Sequence, residues 1–240
     1  MQFCIQALDG RIQNNMKRII ITLDGYSACG KSTLARQLAK ELNYIFIDSG
    51  AMYRAIALYF LRNQISSTDS QAIISALNNI TLKFKFNNTT SQSDIYLNDE
   101  NVEPFIRDMQ VSEKVSEVAA LEEVRTFAVA QQQLMGIEKG IVMDGRDIGT
   151  TVFPNAALKI FVTADPAIRA QRRYQELHEK NPTITLKEIQ ANLEMRDAAD
   201  SNRTVSPLRK AIDAIELDNS LLTKEAQLEL VLEWARKAIN

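Results

Sequence analysis

The 240-residue sequence contains few of the residues that build disulfide frameworks or metal clusters: two cysteines and one histidine. Two cysteines, Cys4 and Cys29, are too few for a disulfide framework, so we expect a reducing, cytoplasmic location. The single histidine, His178, lies in a polar helical stretch, and we interpret it as a solvated residue rather than a ligand or base. Without a His/Cys cluster, the sequence offers no structural zinc site.

Long apolar runs and an excess of one charge are also absent. No run approaches the roughly 18 apolar residues of a membrane-spanning helix, so we expect no membrane span. Residues 1–16 lack the early charge and long apolar core of a secretory signal. The net charge is only −2, which gives no reason to expect a nucleic-acid polymer or an anionic membrane as partner. Clustered arginines in such a chain are expected to serve one small anionic ligand.

The sequence is nevertheless long enough, and at 45% hydrophobic residues apolar enough, to bury a full core. We predict one α/β domain over residues 17–240. Residues 1–16 are predicted to be an extension of uncertain order. Because Met16 immediately precedes the first predicted strand, a translation start at Met16 is an alternative hypothesis.

The most informative stretch is residues 18–42. Ile19, Ile20, Ile21 and Leu23 form an apolar, β-branched run that predicts a buried strand. Directly after it comes the sequence Gly25-Tyr26-Ser27-Ala28-Cys29-Gly30-Lys31-Ser32, which has the GxxxxGK spacing with a closing serine. The following segment predicts a helix whose apolar stripe consists of Leu34, Leu38 and Leu42. Strand, loop and helix therefore occur in the order that a phosphate-binding P-loop requires.

A P-loop binds phosphate through its backbone. The backbone N–H groups of Gly25–Thr33 are predicted to form an anion site with the helix N-terminus that follows. Lys31 would reach the β- and γ-phosphates, and the Ser32 hydroxyl has the position of a Mg²⁺ ligand. The motif therefore predicts a bound nucleoside triphosphate with Mg²⁺.

The strand–loop–helix pattern is repeated along the chain. A strand at 43–48 precedes a helix from Ser49 to Leu61, and later strands are predicted at 141–143, 158–163 and 214–218. Such alternation predicts a parallel sheet with ligands at the carboxyl ends of its strands. Ser49 and Arg54 would then lie at the ligand edge. Asp144 follows the 141–143 strand, at a position like that of the acidic residue that steadies Mg²⁺ in P-loop enzymes.

Between the second and third predicted strands of this sheet, the sequence changes character twice. Residues 62–104 are polar, with a predicted hairpin at 81–86 and 94–97, and read as an insertion. Two interpretations of this insertion stay open: a lobe on the substrate side, or a surface decoration that contacts no ligand. Residues 105–138 are helical by period, with Ser116 and Arg125 assigned to the polar face.

Arginines at strand ends and on helices indicate a second anionic ligand. Because guanidinium groups suit bidentate phosphate binding, these arginines favour an acceptor that itself carries phosphate. A phosphoryl transfer to it needs in-line positioning, a metal and positive charge, and no protein nucleophile. The arginines are Arg54, Arg146, Arg169, Arg173, Arg196 and Arg203.

Four segments closely resemble bacterial cytidylate kinases, which phosphorylate CMP and dCMP with ATP. They are LDGYSACGKST, IDSGAMYRA, DGRDIGTTVFP followed by LKIFVTAD, and RDAADSNRTVSPL. The resemblance runs from about Arg18 to the C-terminus. It implies a three-layer P-loop nucleoside monophosphate kinase fold with a parallel sheet, an inserted lobe at about 62–104 and a mobile lid at about 165–185.

The same resemblance implies roles for individual residues. The groups that read cytosine are Ser49, Ser116, Arg125 and Asp147, the last as an acceptor for the amino group that uracil lacks. The acceptor-phosphate ligands are Arg54, Arg146 and Arg203; the pentose ligands are Arg196 and Asp200. Asp144 is a phosphate- or metal-proximal organiser, and Arg169, Arg172 and Arg173 belong to the lid. The group predicted to act in catalysis is Lys31, Asp144, Arg146, Arg169 and Arg173.

The loop departs from the family pattern at three positions: Tyr26 and Cys29 stand where small residues are usual, and Ser32 often aligns with glycine. Tyr26 and Cys29 contribute N–H groups only, so activity need not suffer. Two alternatives remain. One is a kinase for UMP, AMP or a non-nucleotide acceptor; the other is a GTPase-like switch or an ATP-binding module without transfer, although the guanine-reading NKxD sequence is absent. A monomer is expected.

Overall fold

The structure is a computed structural model that describes residues 17–87, 92–179 and 181–240. It divides into two compact units, the first containing Ile47–Gln132 and the second containing Arg18–Phe46 with Gln133–Asn240. The predicted extension at 1–16 lies outside the described residues. The prediction of one domain over 17–240 stays a prediction, and the two units are described separately.

The elements alternate between strand and helix, as predicted. In chain order they are β1 (Ile20–Gly25), α1 (Lys31–Leu42), β2 (Ile45–Asp48), α2 (Ser49–Arg62), α3 (Ser70–Asn78), β3 (Leu82–Asn87), β4 (Gln92–Leu97), β5 (Glu100–Asn101), α4 (Met109–Val118), α5 (Glu122–Met135), β6 (Ile141–Gly145), a π-helical turn (Ile148–Val152), β7 (Leu158–Thr163), α6 (Pro166–His178), α7 (Leu186–Asn202), β8 (Ile215–Asp218) and α8 (Lys224–Ile239).

Five strands form one sheet in the order β2-β6-β1-β7-β8. Strand β1 pairs in parallel with β6 and β7, and β7 pairs in parallel with β8. Parallel neighbours require crossover connections, and the helices between the strands provide them. The predicted α/β class and the parallel sheet are therefore confirmed.

The core of the second unit lies between this sheet and two helices. Leu34 and Leu38 of α1 pack with Leu23 of β1, and Val231 and Ala235 of α8 belong to the same buried cluster. The stripe predicted for α1 is thus confirmed: Leu34 and Leu38 are fully buried, and Leu42 packs at the margin of the cluster. This packing fixes the start of α1 close to the end of β1.

Side-chain caps explain where most helices begin. Asp48 and Asp69 accept from backbone N–H groups at the starts of α2 and α3, and Asp165 does so at α6 beside Pro166. Helix α7 begins with a reciprocal capping box between Thr185 and Glu188. Helix α1, like α4, has no described side chain that caps its N-terminus. Its first N–H groups are therefore available to an anion.

The first unit contains α2 to α4, α5 up to Gln132 and a small antiparallel sheet in the order β3-β4-β5. The predicted hairpin is confirmed as β3 and β4, but the short strand β5 was not predicted. The single helical stretch predicted at 105–138 is wrong in detail. A turn at 119–121 separates α4 from α5, so their apolar faces are set independently.

Among the described residues, no helix is long and apolar enough to cross a membrane.

Candidate active site

The loop between β1 and α1 has the backbone conformation that its glycines predict. Gly25 has φ 147°, and a Cβ there would lie 2.0 Å from the carbonyl oxygen of Val162 on β7. Gly30, the N-cap of α1, has φ 84°. Ala28 also has a positive φ, at 57°, which is uncommon for a residue with a Cβ. These conformations wrap the backbone around the N-terminus of α1.

Lys31 lies inside this loop rather than on its surface. Its Nζ donates to the carbonyl oxygen of Tyr26 at 2.5 Å and lies 3.4 Å from Sγ of Cys29. Burial lowers the pKa of Lys31, the nearby Arg146 adds to this, and the thiol and Asp144 act in the opposite direction. The structure therefore places the amino group within the loop, where a phosphate would meet it.

The side-chain oxygens of Ser32 and Asp144 lie next to each other at the start of α1. The Ser32 hydroxyl donates to Oδ2 of Asp144 at 2.5 Å, and Asp144 is buried at the end of β6. Hydroxyl and carboxylate oxygens are the ligands that Mg²⁺ accepts in nucleotide sites. The residues present therefore fit a magnesium ion delivered with a triphosphate.

Ser27 connects the loop to three other elements of the second unit. Its N–H donates to Oδ1 of Asp197 on α7 at 2.9 Å. Its carbonyl oxygen accepts from Nη1 of Arg169 on α6 at 3.2 Å, and its hydroxyl accepts from Nη2 of Arg146 after β6 at 2.9 Å. Every polar group of Ser27 is therefore used to fix the loop.

Arg169 supports the phosphate loop through hydrogen bonds and is itself buried. It donates to the Asp197 carboxylate and, through Nε, to the carbonyl oxygen of Ala164 at 3.1 Å. Its guanidinium carbon also lies 5.3 Å from the centre of the Tyr26 ring. The predicted lid arginine thus makes its contacts with the phosphate loop and with α7.

The other two lid arginines differ in their surroundings. Arg172 donates to the side-chain and backbone oxygens of Asn219 at 3.0 and 2.9 Å. Arg173 pairs with Glu176 on the exposed surface of α6 at 3.0 Å. The structure therefore does not bring Arg173 together with the loop residues.

Arg146 and Arg203 form a chain of ion pairs with two aspartates. Arg146 Nε donates to Asp200 at 2.7 Å, Arg203 lies 3.5 Å from Asp200, and Arg203 also donates to Asp147 at 3.2 Å. Burial alone would raise the pKa of Asp200, but Arg146, Arg203 and Arg196 hold it below its usual range. The four predicted residues that form this chain thus lie in one network, and Ser27 joins it to the loop.

In the first unit, Asp48 organises the predicted residue Arg54. Arg54 pairs with Asp48 at 2.9 Å, and Arg107 lies 3.7 Å from the same carboxylate. Burial opposes ionisation, but the two arginines and the Ala51 N–H hold the pKa of Asp48 below its usual range. Ser49, which follows Asp48, is buried.

The assignment of Arg125 to a polar face is wrong. Arg125 is only 1% exposed; it donates to the Ala119 carbonyl oxygen at 3.3 Å and lies over the Tyr53 ring at 5.3 Å. The Tyr53 ring and the backbone at the end of α4 therefore contact the buried guanidinium group inside the unit. Ser116 is half-buried on α4.

Three residues of the second unit were missed by sequence reasoning: Asp24, Asp197 and Asn219. Asp24 accepts from the N–H groups of Ile148 and Gly149, and Asp197 from Ser27. Asn219 donates to the Cys29 carbonyl oxygen at 2.8 Å. Asp24 directly precedes the first glycine of the GxxxxGK motif, and Asp197 directly follows Arg196. Their positions in the sequence, next to predicted site residues, could therefore have indicated a functional role for both.

The parallel sheet, the loop at the carboxyl end of β1, the buried lysine and the Ser32–Asp144 pair are the features of a P-loop protein. The family model described as cytidylate kinase matches residues 21–237. The chain belongs to the cytidylate kinase family.

Its relatives are similar over nearly their whole length. The cytidylate kinase of Cytophaga hutchinsonii is 54% identical over 92% of this chain and 94% of that protein. The cytidylate kinase of Bacteroides thetaiotaomicron is 55% identical over 94% of this chain and 100% of that protein. The chain is also similar to the solved shikimate kinase of Acinetobacter baumannii, at 12% identity and a TM-score of 0.47, covering 92% of this chain and 94% of that one.

Proposed function

We propose that this protein transfers the γ-phosphoryl group of ATP to CMP or dCMP, giving CDP or dCDP and ADP. The observation that carries the proposal is the network in which Arg146 contacts both the loop residue Ser27 and the acidic residue Asp200. It ties a triphosphate-binding loop directly to an arginine cluster suited to a second phosphate. Family membership supports cytosine nucleotides as the acceptors.

On the donor side, we assign ATP to the backbone N–H groups of Gly25–Thr33 and to Lys31. Ser32 and Asp144 would hold Mg²⁺, which neutralises charge on the triphosphate when bound. Arg169 keeps the loop in shape through Ser27. Because phosphoryl transfer depends on alignment and positive charge, a rigid loop is itself a catalytic requirement.

On the acceptor side, we assign roles by the family resemblance. Arg54, Arg146 and Arg203 are assigned to the acceptor phosphate. Arg196 and Asp200 are assigned to the pentose. The cytosine is assigned to Ser49, Ser116, Arg125 and Asp147.

The closing segment and the assembly also remain proposals. We assign Arg169, Arg172 and Arg173 to a lid that excludes water from the triphosphate, so that transfer to the acceptor outcompetes hydrolysis. Arg169 contacts Ser27 of the loop, and Arg172 contacts Asn219, whose side chain donates to the Cys29 carbonyl oxygen of the loop, which supports this assignment. A cytoplasmic monomer stays a prediction.

The test is ADP release from ATP and Mg²⁺ with CMP, dCMP, UMP or AMP as the acceptor. We expect CMP and dCMP to be used well, and Asp147→Ala to reduce the preference for CMP over UMP by about 1–3 kcal/mol. Asp99→Asn, at an exposed carboxylate, is the control and should leave the preference unchanged. A wild-type preference for UMP or AMP would replace the proposal with the alternative acceptor, and hydrolysis without transfer would reject kinase activity altogether.

A further inference from the structure

Asp24 is a buried carboxylate for which the proposed reaction gives no role. It lies near the end of β1 and is 5% exposed. Its Oδ1 accepts from the N–H of Ile148 at 2.8 Å, and its Oδ2 accepts from the N–H of Gly149 at 2.7 Å. Both carboxylate oxygens are therefore used to hold two consecutive backbone amides that are more than 120 residues distant in sequence.

These amides belong to the segment that carries the acceptor residues Arg146 and Asp147. The π-helical turn Ile148–Val152 begins immediately after Asp147, and the Thr151 N–H donates to the Asp147 carbonyl oxygen at 2.8 Å. The Asp147 side chain in turn pairs with Arg203. The position of Asp147 is thus fixed on its C-terminal side by the amides that Asp24 binds.

We propose that Asp24 is a positioning residue for the acceptor site, acting through the Ile148 and Gly149 amides on Asp147 and Arg146. The inference rests on the proposed function, because it names what Asp24 positions for that reaction. Because the hydrogen bonds of Asp24 go to the segment after β6, we expect a larger effect on the acceptor than on ATP.

The segment lies so close to β1 that no other group has room to replace the contact between Asp24 and the two amides. A Cβ on Gly149 would lie 2.9 Å from Oγ1 of Thr22, 3.2 Å from Oδ2 of Asp24 and 3.2 Å from Cδ of Lys159. The absence of a side chain at position 149 lets its amide reach the carboxylate. An asparagine at position 24 offers one acceptor oxygen and would turn its NH₂ group toward the other amide, so one of the two bonds is lost.

The charges around Asp24 make the contact sensitive to pH. The pKa of Asp24 is raised to about 6, chiefly by burial and also by the charge of Asp147, while the two amide hydrogen bonds and the charge of Lys31 act in the opposite direction. Lys159 of β7 is the other cation here, and its Nζ donates to Asp213 and Pro154. Near neutral pH the carboxylate is ionised and accepts from both amides, whereas at pH 5 it is mostly protonated and resembles asparagine.

The experiment compares wild type with Asp24→Asn at pH 7.5. We expect KM for CMP to rise about tenfold or more and KM for ATP to stay within about twofold, since displacements of an ångström have effects of this size. The ratio of the two KM values for CMP, variant over wild type, should fall toward one as pH is lowered from 7.5 to 5. Titration of the CMP phosphate affects both proteins equally and cancels in this ratio.

A structural measurement makes the test independent of activity. Hydrogen exchange of the peptide containing Ile148 and Gly149 should be at least about fivefold faster in Asp24→Asn than in wild type, because an amide loses its acceptor. Asp69→Asn is the matched control. Asp69 also accepts a backbone N–H at a helix start, but through one oxygen only, so asparagine can replace it without loss.

The possible outcomes distinguish a failure of the proposed function from a failure of the role proposed for Asp24. If wild type does not phosphorylate CMP, the proposed function fails, whatever the exchange data show. If wild type is active but Asp24→Asn leaves KM for CMP and amide exchange unchanged, the role of Asp24 is rejected. Equal increases in KM for ATP and CMP would also reject it, because they indicate a general loss of structure. Should Asp24→Asn not fold, the same comparison is made with the conservative Asp24→Glu variant and with the wild-type protection factors of these amides, which correct for the pH dependence of intrinsic exchange. Protection that is lower at pH 5 than at pH 7.5 supports the role of Asp24, and equal protection rejects it.

Discussion

The contact between Asp197 and Arg169 gives a prediction whose size follows from burial. The side chains of this pair are only 12% and 9% exposed, and Asp197 also accepts the Ser27 N–H at 2.9 Å. Asp197→Asn removes the negative charge but keeps the size of the side chain. Breaking a buried ion pair from one side costs roughly 3–5 kcal/mol, because it leaves the other charge uncompensated.

Arg169 retains two carbonyl acceptors, on Ala164 and Ser27, which reduces this loss. We therefore expect Asp197→Asn to lower the free energy of unfolding by about 2–3 kcal/mol. For a chain of this length the corresponding fall in Tm is roughly 5–10 °C. Differential scanning calorimetry of the ligand-free protein measures both quantities.

Glu233→Gln is the matched control. Glu233 lies 2.6 Å from Lys237, but the side chains are 59% and 71% exposed. Because exposed pairs contribute little, this variant should leave the free energy of unfolding unchanged within the error of the measurement. A similarly small change in Asp197→Asn would refute the reasoning, since burial would then make no difference to the strength of the contact.

Two further predictions concern the loop and the arginine network. Gly25→Ala places a Cβ 2.0 Å from the Val162 carbonyl oxygen. We therefore expect a urea titration to show a free energy of unfolding that is lower by at least about 2 kcal/mol. A loss near zero would contradict the loop geometry. Asp200 has a lowered pKa in the folded state, so its contribution to stability is present above its unfolded pKa of 3.8 and is lost as pH falls through the folded value. The stability difference between wild type and Asp200→Asn should therefore be constant above about pH 5 and shrink below 3.8; a difference that grows on acidification would mean the opposite shift.

Local sequence patterns were sufficient to predict those segments whose conformation depends mainly on neighbouring residues. The GxxxxGK spacing predicted the loop, and the apolar run predicted β7 at residues 158–163 without error. Each of these depends on neighbouring residues only. The α/β class then followed from their order.

The remaining features depend on contacts between distant parts of the chain. Arg125 occurs in a polar pattern, yet the Tyr53 ring and the end of α4 bury it. Asp197 and Ser27 are 170 positions apart, and no local period connects them. The π-helical turn after β6 is likewise held by Asp24 from another strand. Such contacts depend on the tertiary fold, which a reading of one sequence supplies only through family resemblance.

The arginine network has a consequence for how an acceptor phosphate would bind. All three guanidinium nitrogens of Arg146 already have acceptors: Asp200 for Nε, Ser27 for Nη2 and the Gly145 carbonyl oxygen for Nη1 at 3.4 Å. The first two are short and the third is long, so a phosphate can replace the Gly145 contact at the least cost. Asp200 and Ser27 would then keep the guanidinium plane in position while the ligand takes the place of the Gly145 oxygen at Nη1. In this arrangement the buried aspartates act by holding arginines and amides rather than by accepting a proton, which is what a phosphoryl transfer that depends on alignment requires.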